Sequence, residues 1–280
     1  MRIAVVAPSS RFSEDAAARV REIAAAECPK AEIVFHPQCF ETHNHFAGTD
    51  QARLAALVEV ANDPGFDALW FARGGYGACR VAKEAIAAMG PAARDKAWLG
   101  YSDAGYLLAG LYRAGFPHVA HGPMAQDGLR PGGDAAVGRA LAWLTARDGA
   151  ALEPGLEKGV RHAAFNMVVL SGLLGTKLEP DLSGHVLLLE EVAEQMYRVD
   201  RLFFHLTGNA AIRKVAGIRL GRVSDVPDND PPFGEDEEDI ARLWCGRAGI
   251  PFLGRAEIGH DTANRVVPFG VLQEPAPGSV

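Results

Sequence analysis

Short apolar runs alternate with amphipathic segments along the first half of the chain. Runs typical of buried strands lie at residues 2–7, 31–36, 68–72, 98–101 and 118–121. The intervening segments predict helices near residues 14–28, 50–62, 80–89, 103–114 and 135–147. Strands that alternate with helices of this length indicate an α/β fold with a doubly wound parallel sheet.

The second half of the chain has a different pattern. Its segments are, in order, strand-like runs at residues 186–189 and 215–220, an acidic loop at 225–238 and a late apolar run at 265–272. This pattern predicts a second, smaller α/β domain. The predicted division is a first domain at residues 1–150, a linker at 151–165 and a second domain at 166–280.

Polar and Gly-rich segments follow four of the predicted strands. They are Pro8-Ser9-Ser10, residues 73–77, Ser102-Asp103 and His121-Gly122-Pro123. Because ligands of open parallel sheets bind at the carboxyl ends of the strands, we expect these segments to meet in one crevice. Ser102 lies between a strand and a helix, which fits either an exposed nucleophile or a helix N-cap. The glycines of 73–77 could direct N–H groups toward an oxyanion, or form only a tight turn.

A serine nucleophile needs a base, and the base needs a group that orients it. Glu190 ends an apolar run and is expected to be poorly solvated, although it could instead form a structural ion pair with Arg198 or Arg201. His260 is the candidate base, although a lone histidine is more often a packed imidazole. The residues alone leave both alternatives open.

Composition excludes several classes of function. The 280 residues are 48% hydrophobic and carry a formal net charge of −7, which argues against a nucleic-acid or anionic-membrane surface. The first apolar run stops at Pro8, and no run approaches the roughly 20 residues that span a bilayer, so no signal peptide or membrane anchor is predicted. The four cysteines are predicted to be free. His43 and His45 are the closest pair of histidines, but no metal-binding spacing accompanies them, so no metal site is predicted. No cofactor is expected.

Short motifs also occur in a defined order along most of the chain. The first half contains Ala7-Pro8-Ser9-Ser10, Phe46-Ala47-Gly48-Thr49-Asp50 with Arg53, Ala72-Arg73-Gly74-Gly75-Tyr76-Gly77, Gly100-Tyr101-Ser102-Asp103 and His121-Gly122-Pro123-Met124. The second half contains Gly175-Thr176 with Glu179-Pro180, Leu189-Glu190-Glu191-Val192, Tyr197-Arg198-Val199-Asp200-Arg201, Gly259-His260 with Asn264, and Pro268-Phe269-Gly270. This ordered set resembles the serine LD-carboxypeptidase family, which includes murein tetrapeptide carboxypeptidases and microcin C immunity peptidases.

The resemblance implies a flavodoxin-like N-terminal domain and a smaller, swivelling C-terminal α/β domain, with the substrate bound between them. It implies a triad in which Ser102 is the nucleophile, His260 the base and Glu190 the orienting carboxylate. It also implies an oxyanion hole formed by the backbone N–H groups of Asp103 and of the Gly74–Gly75 turn, where Gly75 is favoured.

The implied activity is hydrolysis of the L,D-peptide bond that releases terminal D-alanine from murein tetrapeptides during cytoplasmic cell-wall recycling. The alternatives are an immunity-type peptidase for peptidyl-nucleotide antibiotics and a non-catalytic binding protein. A small peptide is the expected partner, and a homodimer is expected from the resemblance. The sequence departs from the family pattern at Ala104-Gly105, at Ala164-Phe165 and at Glu191, which replaces an aspartate.

Overall fold

A computed structural model describes residues 1–272, and its first layer is a mainly parallel sheet. Five of the strands are β1 (Arg2–Val6), β2 (Glu32–Phe35), β3 (Ala68–Phe71), β4 (Ala97–Gly100) and β5 (Val119–His121). They pair in parallel in the order β2-β1-β3-β4-β5. This is the doubly wound order of a flavodoxin-like sheet, so the fold class predicted for the first half of the chain is confirmed.

Helices cover both faces of this sheet. They are α1 (Glu14–Glu27), α2 (Asp50–Asn62), α3 (Ala78–Ala87), α4 (Gly105–Arg113) and α5 (Gly133–Ala146). The apolar residues of α1 and α5 form one core cluster, and those of α2, α3 and α4 belong to another. Side chains define where two helices begin: Ser13 Oγ accepts the Ala16 N–H at 3.2 Å, and Thr49 Oγ1 accepts the Ala52 N–H at 3.1 Å. The strands and helices of the structure thus match the order of elements predicted for the first half of the chain.

A second parallel sheet follows in the chain. It contains β6 (Arg161–Asn166), β7 (His185–Val192), β8 (Gly217–Ser224) and β9 (Phe252–Arg255), in that order. Its helices are α6 (Met167–Leu173), α7 (Met196–Gly208) and α8 (Glu237–Ala248). This confirms the predicted second α/β domain, although the sequence pattern predicts only parts of β7 and β8.

The acidic segment predicted as a loop at residues 225–238 ends earlier than expected. Helix α8 begins at Glu237, so the last two residues of the predicted loop are helical. Asp236 caps this helix, because its carboxylate accepts the N–H groups of Glu238 and Asp239, both at 2.9 Å. Acidic residues in a first helical turn are also favoured by the helix dipole, so the charge run that suggested a loop in fact marks a helix start.

Two short strands late in the chain connect the sheets. β10 (Val267–Pro268) pairs antiparallel with β5, and β11 (Gly270–Val271) pairs antiparallel with β6. Between them Phe269 packs against Phe165 with a ring-centroid distance of 5.1 Å. The apolar run predicted at residues 265–272 is thus divided between the two sheets. The division of the chain at residues 150 and 165 stays a prediction.

Three further observations concern the described residues. Within residues 1–272, no helix combines the length and the apolar character that crossing a bilayer requires. The same residues contain no group of three or more His, Cys, Asp or Glu side chains that could hold a metal ion. All four cysteines are free thiols.

Trp70 provides a test of the core of the first domain. Its side chain is fully buried, and its indole N–H donates a 2.8 Å hydrogen bond to the Pro123 carbonyl. Trp70→Ala is expected to lower the free energy of unfolding by about 3–5 kcal/mol, because it leaves a cavity and an unpaired carbonyl. Urea unfolding followed by circular dichroism measures this change. Phe204→Ala is the matched control, since Phe204 is 57% exposed, and an equal loss in both variants would contradict the packing described.

Candidate active site

Ser102 lies in a sharp turn between β4 and α4. A 3-10 turn, Ser102–Ala104, connects the two elements, and the N-cap positions of this turn and of α4 are Tyr101 and Ala104. Ser102 therefore caps neither of them. Its backbone φ is 57°, in the left-handed region that costs a non-glycine residue about 1–2 kcal/mol. A strained serine at a strand–helix turn is typical of an exposed nucleophile.

A chain of hydrogen bonds runs from Ser102 through His260 to Glu190. Ser102 Oγ lies 2.9 Å from His260 Nε2, and His260 Nδ1 lies 2.5 Å from Glu190 Oε2. Ser102 follows β4 of the first sheet, whereas Glu190 lies on β7 and His260 follows β9 of the second sheet. The structure thus brings together the three residues that the sequence analysis groups as a triad.

Burial and charge act in opposite directions on His260. Burial by itself lowers the pKa of the imidazole, but the charge of Glu190 and its hydrogen bond raise that pKa, and the net pKa lies above the ordinary value. An Nδ1–H donated to Glu190 leaves Nε2 free to accept the Ser102 proton. Arg198, an alternative partner for Glu190, pairs instead with Glu194 at 3.0 Å. The surroundings of Glu190 therefore favour its interaction with the imidazole.

Glu191 faces the opposite side of β7 from Glu190, as successive residues of a strand do. Its Oε1 accepts a 2.7 Å hydrogen bond from Asn166 Nδ2, and its Oε2 accepts the Val168 N–H at 2.9 Å. Burial raises the pKa of Glu191 to about 7. The pleat of the strand, which local sequence does not reveal, thus decides which of the two carboxylates meets the histidine.

The Gly74–Gly75 turn lies directly beside the Ser102 hydroxyl. A Cβ atom at Gly74 would stand 2.7 Å from Ser102 Oγ, and one at Gly75 would overlap the side chain of Ser10. Gly75 also has a φ of 106°, a conformation that favours glycine. Both residues are therefore required to be glycine, one by close approach and the other also by backbone conformation.

Asp103 uses its side chain to hold the nucleophile turn in place. Its buried carboxylate accepts hydrogen bonds from Ser9 Oγ and, at 2.8 Å, from the Ala78 N–H. Burial raises the pKa of this carboxylate, and the donors oppose that shift. The interaction joins the loop after β1 and the start of α3 to the turn after β4. Asp103 directly follows Ser102 in the chain, and its backbone N–H is one of the expected oxyanion donors.

Arg53 connects the loop after β1 to the loop after β3, which contains the glycine turn. The residue is 1% exposed, although it is charged. Its guanidinium donates to the carbonyls of Pro8 and Gly77, the latter at 2.9 Å. The loops after β1 and β3 are thereby held at a defined separation beside the crevice. A buried arginine of this kind is invisible to periodicity, although the family motifs include it.

A group of polar residues around His260 has no signal in the local sequence. The Tyr101 ring packs against the His260 ring with a centroid distance of 4.9 Å. The Tyr101 hydroxyl donates to Asp127 Oδ1 at 3.0 Å, and Arg130 donates to the His260 carbonyl. Neither Asp127 nor Arg130 belongs to one of the sequence motifs, and local pattern does not reveal their roles because these contacts join segments that are distant in the chain.

The loop that carries His260 is fixed by contacts on both of its ends. Asn264 Oδ1 accepts the Gly259 N–H at 3.2 Å and the His121 Nε2–H at 3.1 Å. Burial lowers the pKa of His121 to about 4, which keeps this buried imidazole neutral. Arg222 binds both carboxylate oxygens of Asp261. His121, predicted to border the crevice, therefore contributes to the support of the histidine loop.

Comparison with known proteins identifies the family. Residues 3–122 match the LD-carboxypeptidase N-terminal domain, and residues 163–274 match the LD-carboxypeptidase C-terminal domain. The chain belongs to the LD-carboxypeptidase family. The resemblance drawn from the ordered motifs is thus confirmed, and each matched region contains one of the two parallel sheets.

Individual relatives extend over nearly the whole chain. The murein tetrapeptide carboxypeptidase of Pseudomonas aeruginosa is 27% identical over 288 residues, which cover 96% of this chain and 91% of the relative. The crystal structure of muramoyltetrapeptide carboxypeptidase from Oxalobacter formigenes is similar with a TM-score of 0.80 at 23% identity, covering 96% and 93% of the two chains. The microcin C7 self-immunity protein MccF is similar with a TM-score of 0.79 at 20% identity, covering 96% and 91%. At these identities the two solved structures show a shared fold.

Gly74→Ala tests the close approach of the glycine turn to Ser102. The added methyl group would displace the hydroxyl, and a misplacement of about 1 Å is expected to slow reaction of Ser102 with a fluorophosphonate probe on the order of 10²-fold. The rate of labelling, followed by intact-protein mass spectrometry, measures the effect. Gly246→Ala is the matched control, because a methyl group there meets nothing within 4 Å. Equal labelling rates in the two folded variants would contradict the geometry.

Proposed function

We propose that this protein is a serine carboxypeptidase that releases terminal D-alanine from murein tetrapeptides by hydrolysing the L,D-peptide bond. Ser102 is the nucleophile, His260 the general base and Glu190 the residue that orients it. The proposal depends on one observation, the two hydrogen bonds of 2.9 Å and 2.5 Å that link these three side chains. The family and the name of the Pseudomonas aeruginosa relative support the choice of substrate.

The reaction proceeds through an ester of Ser102. The Ser102 oxygen attacks the carbonyl carbon of the L-centre while His260 Nε2 takes the hydroxyl proton. The C–N bond then breaks, and the imidazolium gives that proton to the amine of the departing D-alanine. In the second half, His260 takes a proton from water, the hydroxide attacks the ester, and the proton returns to Ser102. Glu190 stabilises the imidazolium that forms in each half.

The oxyanion of each tetrahedral intermediate needs hydrogen-bond donors close to Ser102. We assign this role to the backbone N–H groups of Gly75 and Asp103. In support, the turn that contains Gly75 approaches the hydroxyl closely at Gly74, and Asp103 directly follows the nucleophile. Removal of one donor of this kind lowers kcat by about 10²–10³.

Two alternatives and two further expectations accompany this proposal. An immunity-type peptidase would require a peptidyl-nucleotide substrate, and expression of the protein would then protect sensitive cells. A non-catalytic binding protein would leave Ser102 unlabelled by a fluorophosphonate. The cytoplasmic location and the homodimer stay predictions, and the proposed reaction uses no cofactor.

The triad is tested by substitution of each member. Ser102→Ala and His260→Ala are each expected to lower kcat for release of D-alanine by about 10⁴ or more, because the nucleophile or its base is lost. Glu190→Gln is expected to cost about 10⁴ as well, because the amide favours the wrong imidazole tautomer. Purified protein is incubated with murein tetrapeptide, and free D-alanine is measured by chromatography.

The chain offers a matched control for these substitutions. Ser171 Oγ lies 2.8 Å from His205 Nδ1, so this pair has a similar serine–histidine distance outside the site. Ser171→Ala and His205→Ala are expected to keep the activity of the wild type. Full activity in a folded Ser102→Ala protein would rule out the proposed nucleophile, and absence of D-alanine release by the wild type would rule out the substrate.

The rate is expected to depend on pH through His260. Only the neutral imidazole can take the Ser102 proton. The value of kcat/KM is therefore high above the pKa of His260 and decreases as the pH falls through that pKa. Because the pKa of His260 is raised above 6.5, this loss is expected to be centred above pH 6.5. Glu190→Gln removes the charge that raises the pKa, so the titration of His260 followed by NMR should move to lower pH. An unchanged titration would contradict the role of Glu190.

A further inference from the structure

A carboxypeptidase must distinguish a terminal residue, with its free carboxylate, from an internal one. In the proposed reaction, His260 protonates the amine of the departing residue. The carboxylate of that residue is attached to the carbon next to this amine, so it lies within a few ångströms of the imidazole during the reaction. A cation that recognises the free carboxylate should therefore lie beside His260.

Three arginines contact the loop that carries His260, and two of them are already engaged. Arg222 binds both carboxylate oxygens of Asp261 and also pairs with Glu257 at 3.2 Å. Arg139 donates to the carbonyls of Thr262 and, at 3.1 Å, of Asn264. Both guanidinium groups therefore serve to hold the loop, and neither offers a free cationic face to a ligand.

Arg130 differs from them in its exposure and in its partners. Its side chain is 43% exposed, and its Nε lies 3.6 Å from Asp127 Oδ1, beyond hydrogen-bond distance. It donates to the backbone carbonyl of His260, so one edge of the guanidinium is directed toward the catalytic loop. A positive charge thus lies next to the histidine, and it pairs at 3.6 Å with the buried carboxylate of Asp127 while 43% of the Arg130 side chain stays exposed.

The position of Arg130 is also fixed before any substrate binds. Its neighbour Asp127 is buried and accepts hydrogen bonds from the Tyr101 hydroxyl at 3.0 Å and from the Met124 N–H at 2.9 Å. The Tyr101 ring in turn packs on the His260 ring. Arg130 is therefore held in a defined relation to the imidazole, which lowers the entropy that binding of a ligand would cost.

We propose that Arg130 binds the terminal carboxylate of the substrate and so restricts the enzyme to the last residue of a peptide. This inference rests on the proposed function and extends it to the recognition of the free C-terminus. The planar guanidinium is suited to a carboxylate because its N–H groups match the two oxygens. Arg130 would act as a specificity-determining residue on the side of the leaving group.

The test compares a murein tetrapeptide with its C-terminal amide, which lacks the negative charge. Wild-type protein should prefer the free acid in kcat/KM, and Arg130→Gln should reduce this preference about 10- to 100-fold, chiefly by loss on the free acid. Arg130→Lys should restore part of the preference, because it keeps the charge but not the planar fork. If Arg130 only positions His260, both substrates would lose equally, and the inference would be overturned.

Two further measurements keep this test independent of the proposed substrate and of folding. Arg11→Gln is the matched control, because Arg11 is an exposed arginine that follows β1 at the same edge of the sheet and contacts Thr42 at 3.4 Å; it should leave the preference unchanged. Calorimetry with a Ser102→Ala protein should show tighter binding of the free acid than of the amide, and equal binding once Arg130→Gln is added. Absence of D-alanine release by the wild type refutes the proposed function alone, whereas equal binding of both ligands to Ser102→Ala refutes the role of Arg130.

Discussion

The hydrogen bond between Ser102 and His260 joins residues 158 positions apart, and it crosses from one sheet to the other. It can form only if the two sheets keep a constant relative position. Three features hold them: a core cluster shared by α4, α6 and β7, the strands β10 and β11 that pair with different sheets, and the arginine contacts to the loop after β9. A shift of about 1 Å between the sheets would break a contact of this length, so packing far from the crevice determines whether the serine has a base.

Buried carboxylates around the crevice are stabilised by different numbers of donors. Glu191 and Asp103 each accept hydrogen bonds from a side chain and from backbone N–H groups. Glu190, which is fully buried, is bonded through Oε2 to His260, and its Oε1 has no hydrogen-bond partner in the described part of the chain. A buried charge with so few donors is stabilised mainly by the positive charge that develops on the imidazole. The scarcity of donors around Glu190 therefore strengthens its effect on His260.

The first half of the chain was open to prediction because its strands are short apolar runs bounded by turns. β3 and β4 are buried at every residue, so each reads as a continuous apolar segment. The second half is less regular. β9 alternates between partly buried and exposed residues and contains a glycine at 254 with positive φ, and β6 begins at an exposed arginine. β9 is an edge strand, and the apolar run of β6 is only three residues long, Ala163–Phe165, so local pattern did not reveal either strand.

The sequence by itself determined the alternation of strands and helices in the first half, the strand-end position of Ser102, and the family motifs that include Glu190 and His260. Each of these depends on residues that are neighbours in the chain, where spacing and side-chain type are sufficient. The tertiary structure alone decided that Glu190 rather than Glu191 meets the imidazole, because the pleat and register of β7 set the direction of each side chain. It alone also placed Arg130 beside His260, 130 residues away. Such contacts depend on how separate elements pack, and no local spacing records that.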